Sequence, residues 1–127
     1  MKRHTAQWVL KAEDDVEAAR TLAVQPRPNR DATCFHCQQA AEKYLKGLLQ
    51  ELGLPVPRTH DLVAVLDLLL PHDATLAPMR RILRSLTRYA VEYRYPGVRS
   101  STRQVQTALR HMERVRTELR TRLKLPP

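Results

Sequence analysis

Apolar residues recur three and four positions apart in five stretches of this chain, and proline or glycine punctuates the gaps between them. That is the period of an amphipathic helix. Val9, Ala12, Val16, Ala19 and Ala23 make the first stripe, with acidic Glu13, Asp14, Asp15 and Glu17 in the gaps; Pro26 and Pro28 stop it near Gln25. A second helix is expected from about Asp31 to Leu52, with Cys34, Cys37, Ala41, Leu45, Leu48 and Leu52 inward and Gly53 ending it. Thr59 is placed to cap a short third helix carrying Leu62, Val65, Leu66 and Leu69, which Pro71 terminates. The fourth, from Thr75 to Tyr93, carries Leu76, Met79, Ile82, Leu83, Leu86, Tyr89 and Tyr93, with Pro78 tolerable only in its first turn. A capping box, Ser101 with Gln104, opens the last helix, whose stripe is Val105, Leu109, Met112, Val115, Leu119 and Leu123. That near-heptad spacing suits either packing inside one bundle or a seam with a second chain. The expected fold is therefore all-α, an up-and-down bundle of about five helices, in one domain over residues 1–127.

Composition supports this reading. Only 3 Gly and 2 Phe plus Trp argue against a β-sandwich or barrel. No apolar run approaches the roughly 18 residues of a membrane span, and MKRHTAQW lacks a signal-peptide core, so a cytoplasmic protein is expected.

The net charge of +9 is unevenly placed. Residues 1–73 hold 9 basic and 10 acidic side chains, whereas residues 74–127 hold 13 basic and 3 acidic. Such a bias points to a polyanionic partner, a nucleic acid or an acidic protein, although 17 Arg and 9 Pro also fit a compositional habit. Arg80, Arg84 and Arg88 lie along one stripe, where like charges repel unless an anion neutralises them.

Cys34 and Cys37 have CxxC spacing with His36 between them, but no second CxxC or HxxxH completes a four-ligand zinc site. Packing of both thiols in the core is the simpler reading, and no metal or cofactor is expected. Arg30 and His36 form an Arg-x5-His string, which a chain with this much arginine contains by chance. On the second helix Gln39, Glu42, Lys43 and Lys46 share a polar face, and Glu42 precedes Lys46 in the favourable i, i+4 order.

FHCQQAAEKYLKGLLQELG, followed by THDL and by a basic stretch ending in RYP, resembles the HEPN family (higher eukaryote and prokaryote nucleotide-binding). The resemblance runs from the first helix through Pro96, with three motifs in the family's order. It implies a helical bundle that is usually dimeric; many prokaryotic members partner a small nucleotidyltransferase, and some are toxins that cut RNA. The matched positions are Gln38, Gln39, Glu42, Lys43 and Lys46, then His60 and Asp61, then Arg94, Tyr95 and Pro96.

Ribonuclease members resembling this fold carry Arg, four to six residues, then His late in the chain, where Arg stabilises phosphorane-like charge and His moves a proton. Here the only late histidine is His111, and Arg103 precedes it with seven residues between. On a continuous helix the two stand about 80° apart and ~12 Å along the axis, too far to share a phosphate within one chain. The preferred expectation is a non-enzymatic homodimeric module that partners a small nucleotidyltransferase. A nucleotide or nucleic acid would be held by Lys43, Lys46, His60, Arg94, Arg99 and Arg103, with Tyr95 available to stack on a base. The alternative is a metal-independent ribonuclease using Arg103 and His111, and a third reading is a scaffold zipped together along the last helix.

Overall fold

The computed structural model describes residues 1–92 and 95–127. Its helices are α1 (Arg3–Ala23), α2 (Arg30–Glu51), α3 (Leu62–Leu69), a 3-10 segment (Ala74–Met79), α4 (Arg80–Thr87), α5 (Tyr89–Glu92) and α6 (Thr102–Arg122), with no strand among the described residues. Counting the broken stretch 74–92 as one gives the five helices expected.

Helix α2 is the axis of the bundle and packs against α1, α3, α4, α5 and α6. Asn29 caps its N-terminus by accepting from the Ala32 N–H at 3.1 Å. At its other end Gly53, at φ +73°, turns the chain while Leu54 and Gly53 donate to Leu49 O and Gln50 O, the paired bonds of a Schellman turn. That turn swings Leu52 outward to 42% exposure, so the inward position expected for it belongs to Leu49.

Chain direction follows from the cross-links. The Lys2 N–H, at the start of α1, donates to Glu51 at the end of α2, so these two helices run antiparallel. Arg20 with Glu113 and Arg116 with Glu13 make α6 antiparallel to α1, and hence parallel to α2. Residues 62–92 are the crossover that permits this. α1 approaches α2 closely where α2 carries Gly47, since a Cβ there would stand 3.3 Å from the Trp8 Cβ.

Two local expectations change. Asp61, not Thr59, caps α3, accepting from the Val63 and Ala64 N–H groups, while Thr59 Oγ1 accepts from Asp61 N–H. The single fourth helix is broken, and both breaks have causes. Pro78 lies in residues 74–79, which wind as the tighter 3-10 form; its ring would crowd the Ala74 carbonyl in an α-helix, and α4 begins only after it. Thr87 Oγ1 donates back to Leu83 O and accepts the Leu62 N–H, which ends α4 where it meets the start of α3. Tyr93 lies outside the described residues.

The α6 stripe is core: Val105, Met112, Val115, Leu119 and Leu123 are buried and Leu109 is half-buried against the same cluster. It is therefore closed within one chain and is not free to zip to a second. Among the described residues no helix is long and apolar enough to cross a membrane.

Candidate functional site

The QQAAEKYLK motif is a buried polar network rather than a solvated face. Gln38, Glu42 and Lys46 are all buried on α2. Glu42 accepts from His60 Nδ1–H at 2.8 Å, from Gln38 Nε2–H at 3.1 Å and from Lys46 Nζ–H at 3.1 Å. Gln38 also donates to His60 O at 3.1 Å, and Gln39 donates to Gln38 Oε1 at 2.6 Å. Burial pushes the Glu42 carboxyl up, but the bonds from His60, Gln38 and Lys46 together outweigh it and hold the group below the ordinary range. His60 thus ties the THDL turn to α2 rather than capping α3. Its ring is 60% exposed, and with Nδ1 engaged the nitrogen left for a ligand is Nε2.

On a neighbouring face of α2, Asp15 of α1 receives His36 Nδ1–H at 2.8 Å and the Lys43 ammonium. Asp15 organises this second cluster and had no place among the residues expected at the site. The signal was present: Asp15 lies three residues after Ala12 and four before Ala19, on the stripe that faces the core.

Lys43 and Lys46 therefore both have carboxylate partners within the chain, and the Lys46 side chain is only 6% exposed, 6.0 Å from the Trp8 ring. Within one chain, Lys46 cannot meet a phosphate without giving up its bond to Glu42, which would keep His60 and Gln38 but lose its ammonium counter-charge.

The other candidates sit at the opposite end of α2. Arg30 Nε–H donates to Ser100 O at 2.8 Å and the Ser100 N–H donates to Asp31 Oδ1 at 2.6 Å, so the loop before α6 docks on the first turn of α2. Beside that junction lies a polar cleft of about 330 Å³ lined by Pro28, Asn29, Arg30, Asp31, Arg99 and Ser100. Arg99 and Tyr95 are exposed, as is Arg103 in the first turn of α6; Arg94 lies outside the described residues. From Arg30 to Lys43 is thirteen residues of helix, ~20 Å at 1.5 Å per residue. The residues expected to hold one ligand thus form two separate groups, Lys43, Lys46 and His60 in one and Tyr95, Arg99 and Arg103 in the other.

Neither Arg and His string assembles into a phosphodiester-cleaving pair within the chain. Arg30 is held by Ser100 and His36 by Asp15. Arg103 faces solvent, whereas the Nδ1 of half-buried His111 is enclosed and meets no hydrogen-bond partner among the described residues. Burial, helped by the charge of Arg110, pushes the His111 imidazole down, favouring its neutral form. Burial also pushes the thiols of Cys34 and Cys37 up, and both side chains lie wholly in the core. Among the described residues no cluster of three or more His, Cys, Asp or Glu is arranged to hold a metal.

An all-helical bundle with a polar network along its central helix and a basic loop over that helix's N-terminus defines the class of this protein. The chain belongs to the HEPN domain family, whose model matches residues 5–122. In structure it is similar to TT1696 from Thermus thermophilus, with a TM-score of 0.81 at 22% identity, over 94% of this chain and 98% of that one. It is also similar to ST0689, an archaeal HEPN homologue, with a TM-score of 0.73 at 26% identity, over 96% and 98% of the two chains. No curated protein matches the chain in sequence.

Proposed function

We propose that this chain is a non-catalytic HEPN module, a homodimer that partners a small nucleotidyltransferase and holds a nucleotide or nucleic acid at its basic C-terminal half. The observation that carries the reading is the separation of Arg103 from His111 on α6. The first is in solvent and the second is half-buried with a neutral ring favoured, so the two supply no acid–base and charge-stabilising pair. Binding, in contrast, has suitable parts. Arg99 and Arg103 have no carboxylate partner among the described residues, Arg99 lines the polar cleft, and Tyr95 is 59% exposed, available to stack on a base. Exposed Val91, Tyr95 and Val98 place apolar surface in the same segment, as contact with a second copy or with a nucleotidyltransferase requires.

The test is incubation of the purified protein with labelled single-stranded RNA at low and moderate salt, scoring retention and integrity together. Intact RNA, retained in a salt-dependent way and released by Arg99→Ala, is the expected result. Cleavage that disappears in His111→Ala overturns the reading and makes the chain a ribonuclease.

A further inference from the structure

The fully outward residues of α6 from Arg103 onward are Arg103, Gln106, Arg110, Arg114, Thr117 and Thr121; acidic Glu113 lies on the flank, its half-exposed side chain paired with Arg20. The three- and four-residue spacing of the outward residues puts them on one stripe, directly opposite the core stripe, and none of them is apolar or acidic.

The arginines of α6 divide by face. On the flanks, Arg116 and Arg120 reach Glu13, and Arg122 reaches Asp73 and Glu118, so the chain's own acids neutralise them. On the outward stripe Arg103 and Arg110 have no carboxylate partner among the described residues. Arg114 shares Glu118 with Arg122, which leaves its charge partly uncompensated. Three guanidinium groups thus stand along ~16 Å of straight helix, from Arg103 to Arg114.

We infer that this outward face of α6 binds the sugar–phosphate backbone of a nucleic acid duplex without regard to sequence. The inference rests on the proposed function above and adds to it a second ligand form and a surface that continues from Arg103. Several features select the duplex. Protein interfaces are built around apolar and aromatic anchors, and membrane-surface helices around an apolar face; this stripe has neither. Single-strand sites use exposed aromatic rings as stacking platforms, and the stripe has none. Arg and Gln at a regular spacing on a helix are donors suited to phosphate and sugar oxygens, the contacts that position a duplex without reading it, while the Thr121 hydroxyl is taken by Thr117 O. Charge complementarity supplies the attraction, since no acid of this chain reaches Arg103 or Arg110 among the described residues.

The experiment is fluorescence anisotropy with a short labelled DNA duplex of unselected sequence across a salt series, using the full chain. Three phosphate contacts make binding about 40-fold weaker for a roughly fourfold rise in salt, and removing one lowers that ratio to about 12-fold. Arg103→Gln and Arg110→Gln should each produce this smaller ratio, and Arg103→Glu with Arg110→Glu should abolish binding while the circular dichroism stays that of the folded bundle. Duplex binding that persists in the double variant but vanishes in Arg99→Ala overturns the α6 assignment and leaves the functional reading standing. Equal retention of polyglutamate overturns it in favour of an acidic protein. Failure to bind duplex at low salt also overturns it; if single-stranded RNA is not retained either, the functional reading falls with it.

Discussion

Arg116 of α6 makes a two-pronged bridge to Glu13 of α1, with Nε at 2.9 Å and Nη2 at 2.8 Å from the two carboxylate oxygens, across 103 residues of sequence. Tyr44 of α2 donates its hydroxyl to the same carboxylate, and Arg120 donates to the Tyr44 oxygen at 3.0 Å. One carboxylate therefore links three helices. The acidic gaps of α1 and the arginines of α6 are complementary surfaces within one bundle, and the charge bias along the chain is in part an internal pairing.

Glu13→Gln keeps the shape of that junction and removes its charge. The Arg116 bond shifts the Glu13 carboxyl down more than burial shifts it up, so the ionised form is the one the fold selects. The expected loss is about 1–2 kcal/mol in urea unfolding, between an exposed ion pair and an enclosed charge-assisted hydrogen bond. Raising the salt should narrow the difference between wild type and variant, because the pair is partly open to solvent. Equal unfolding midpoints for the two proteins contradict this account of the junction.

The Glu42 network should contribute to the acid limb of stability, beside Glu13, Asp73 and Glu118, whose carboxyls are also held low. The Glu42 carboxyl titrates lower in the folded chain than in the unfolded one, so its contribution is complete above the unfolded value of about 4.3. It is lost as the pH falls through the lower, folded value. Glu42→Gln should flatten that limb in an acid titration followed by circular dichroism. At neutral pH the same substitution leaves the Lys46 ammonium buried without its counter-ion, at a cost of about 3 kcal/mol. An acid limb as steep in the variant as in the wild type refutes the assignment.

How far the sequence could be read is plainest on α2 and α6. Their apolar stripes and the Ser101–Gln104 capping box were legible because helical period and cap chemistry are local. The break at Thr87 was not, since it depends on a hydroxyl that meets the distant N–H of Leu62. Of the stripe Arg80, Arg84 and Arg88, Arg80 meets Asp67 across thirteen residues of loop and helix, a pairing that leaves no periodic trace, whereas Arg88 meets Glu92 at the i, i+4 spacing that the sequence does display. At the site, the motif residues were found but their environment was not. Lys43 and Lys46 read as solvent-facing cations because Glu42 shares their helix face, while the docking of α1 that encloses them is a tertiary event.

Cys34 and Cys37 sit wholly in the core, and burial is the main reason their thiols are pushed up. The thiolate is the reactive form, so neither should react with an aromatic disulfide reagent in the native protein. In urea, labelling should rise along the unfolding curve measured by circular dichroism. Rapid labelling of the folded chain contradicts the packing described.

His111 offers a test in which the binding and catalytic readings part. On the helical wheel it shares a flank of α6 with Glu118 and Arg122, and Arg122 reaches Asp73 and Thr75 beside the 3-10 segment. Its Nδ1 is enclosed with no hydrogen-bond partner among the described residues, an arrangement that costs stability. His111→Leu removes the enclosed polar atom and raises intrinsic helix propensity, so the variant should gain up to about 1 kcal/mol at neutral pH. The imidazole titrates lower in the folded chain, so on acidification below the unfolded value of about 6.5 the unfolded state takes up the proton first and wild-type stability declines. The variant should lack that decline, so its advantage grows between that value and the lower, folded one. Retention of RNA should be unchanged, because His111 is no part of the proposed binding surface. A variant that is less stable, or one that no longer holds RNA, shows that the ring has a partner or a task that the single chain does not display.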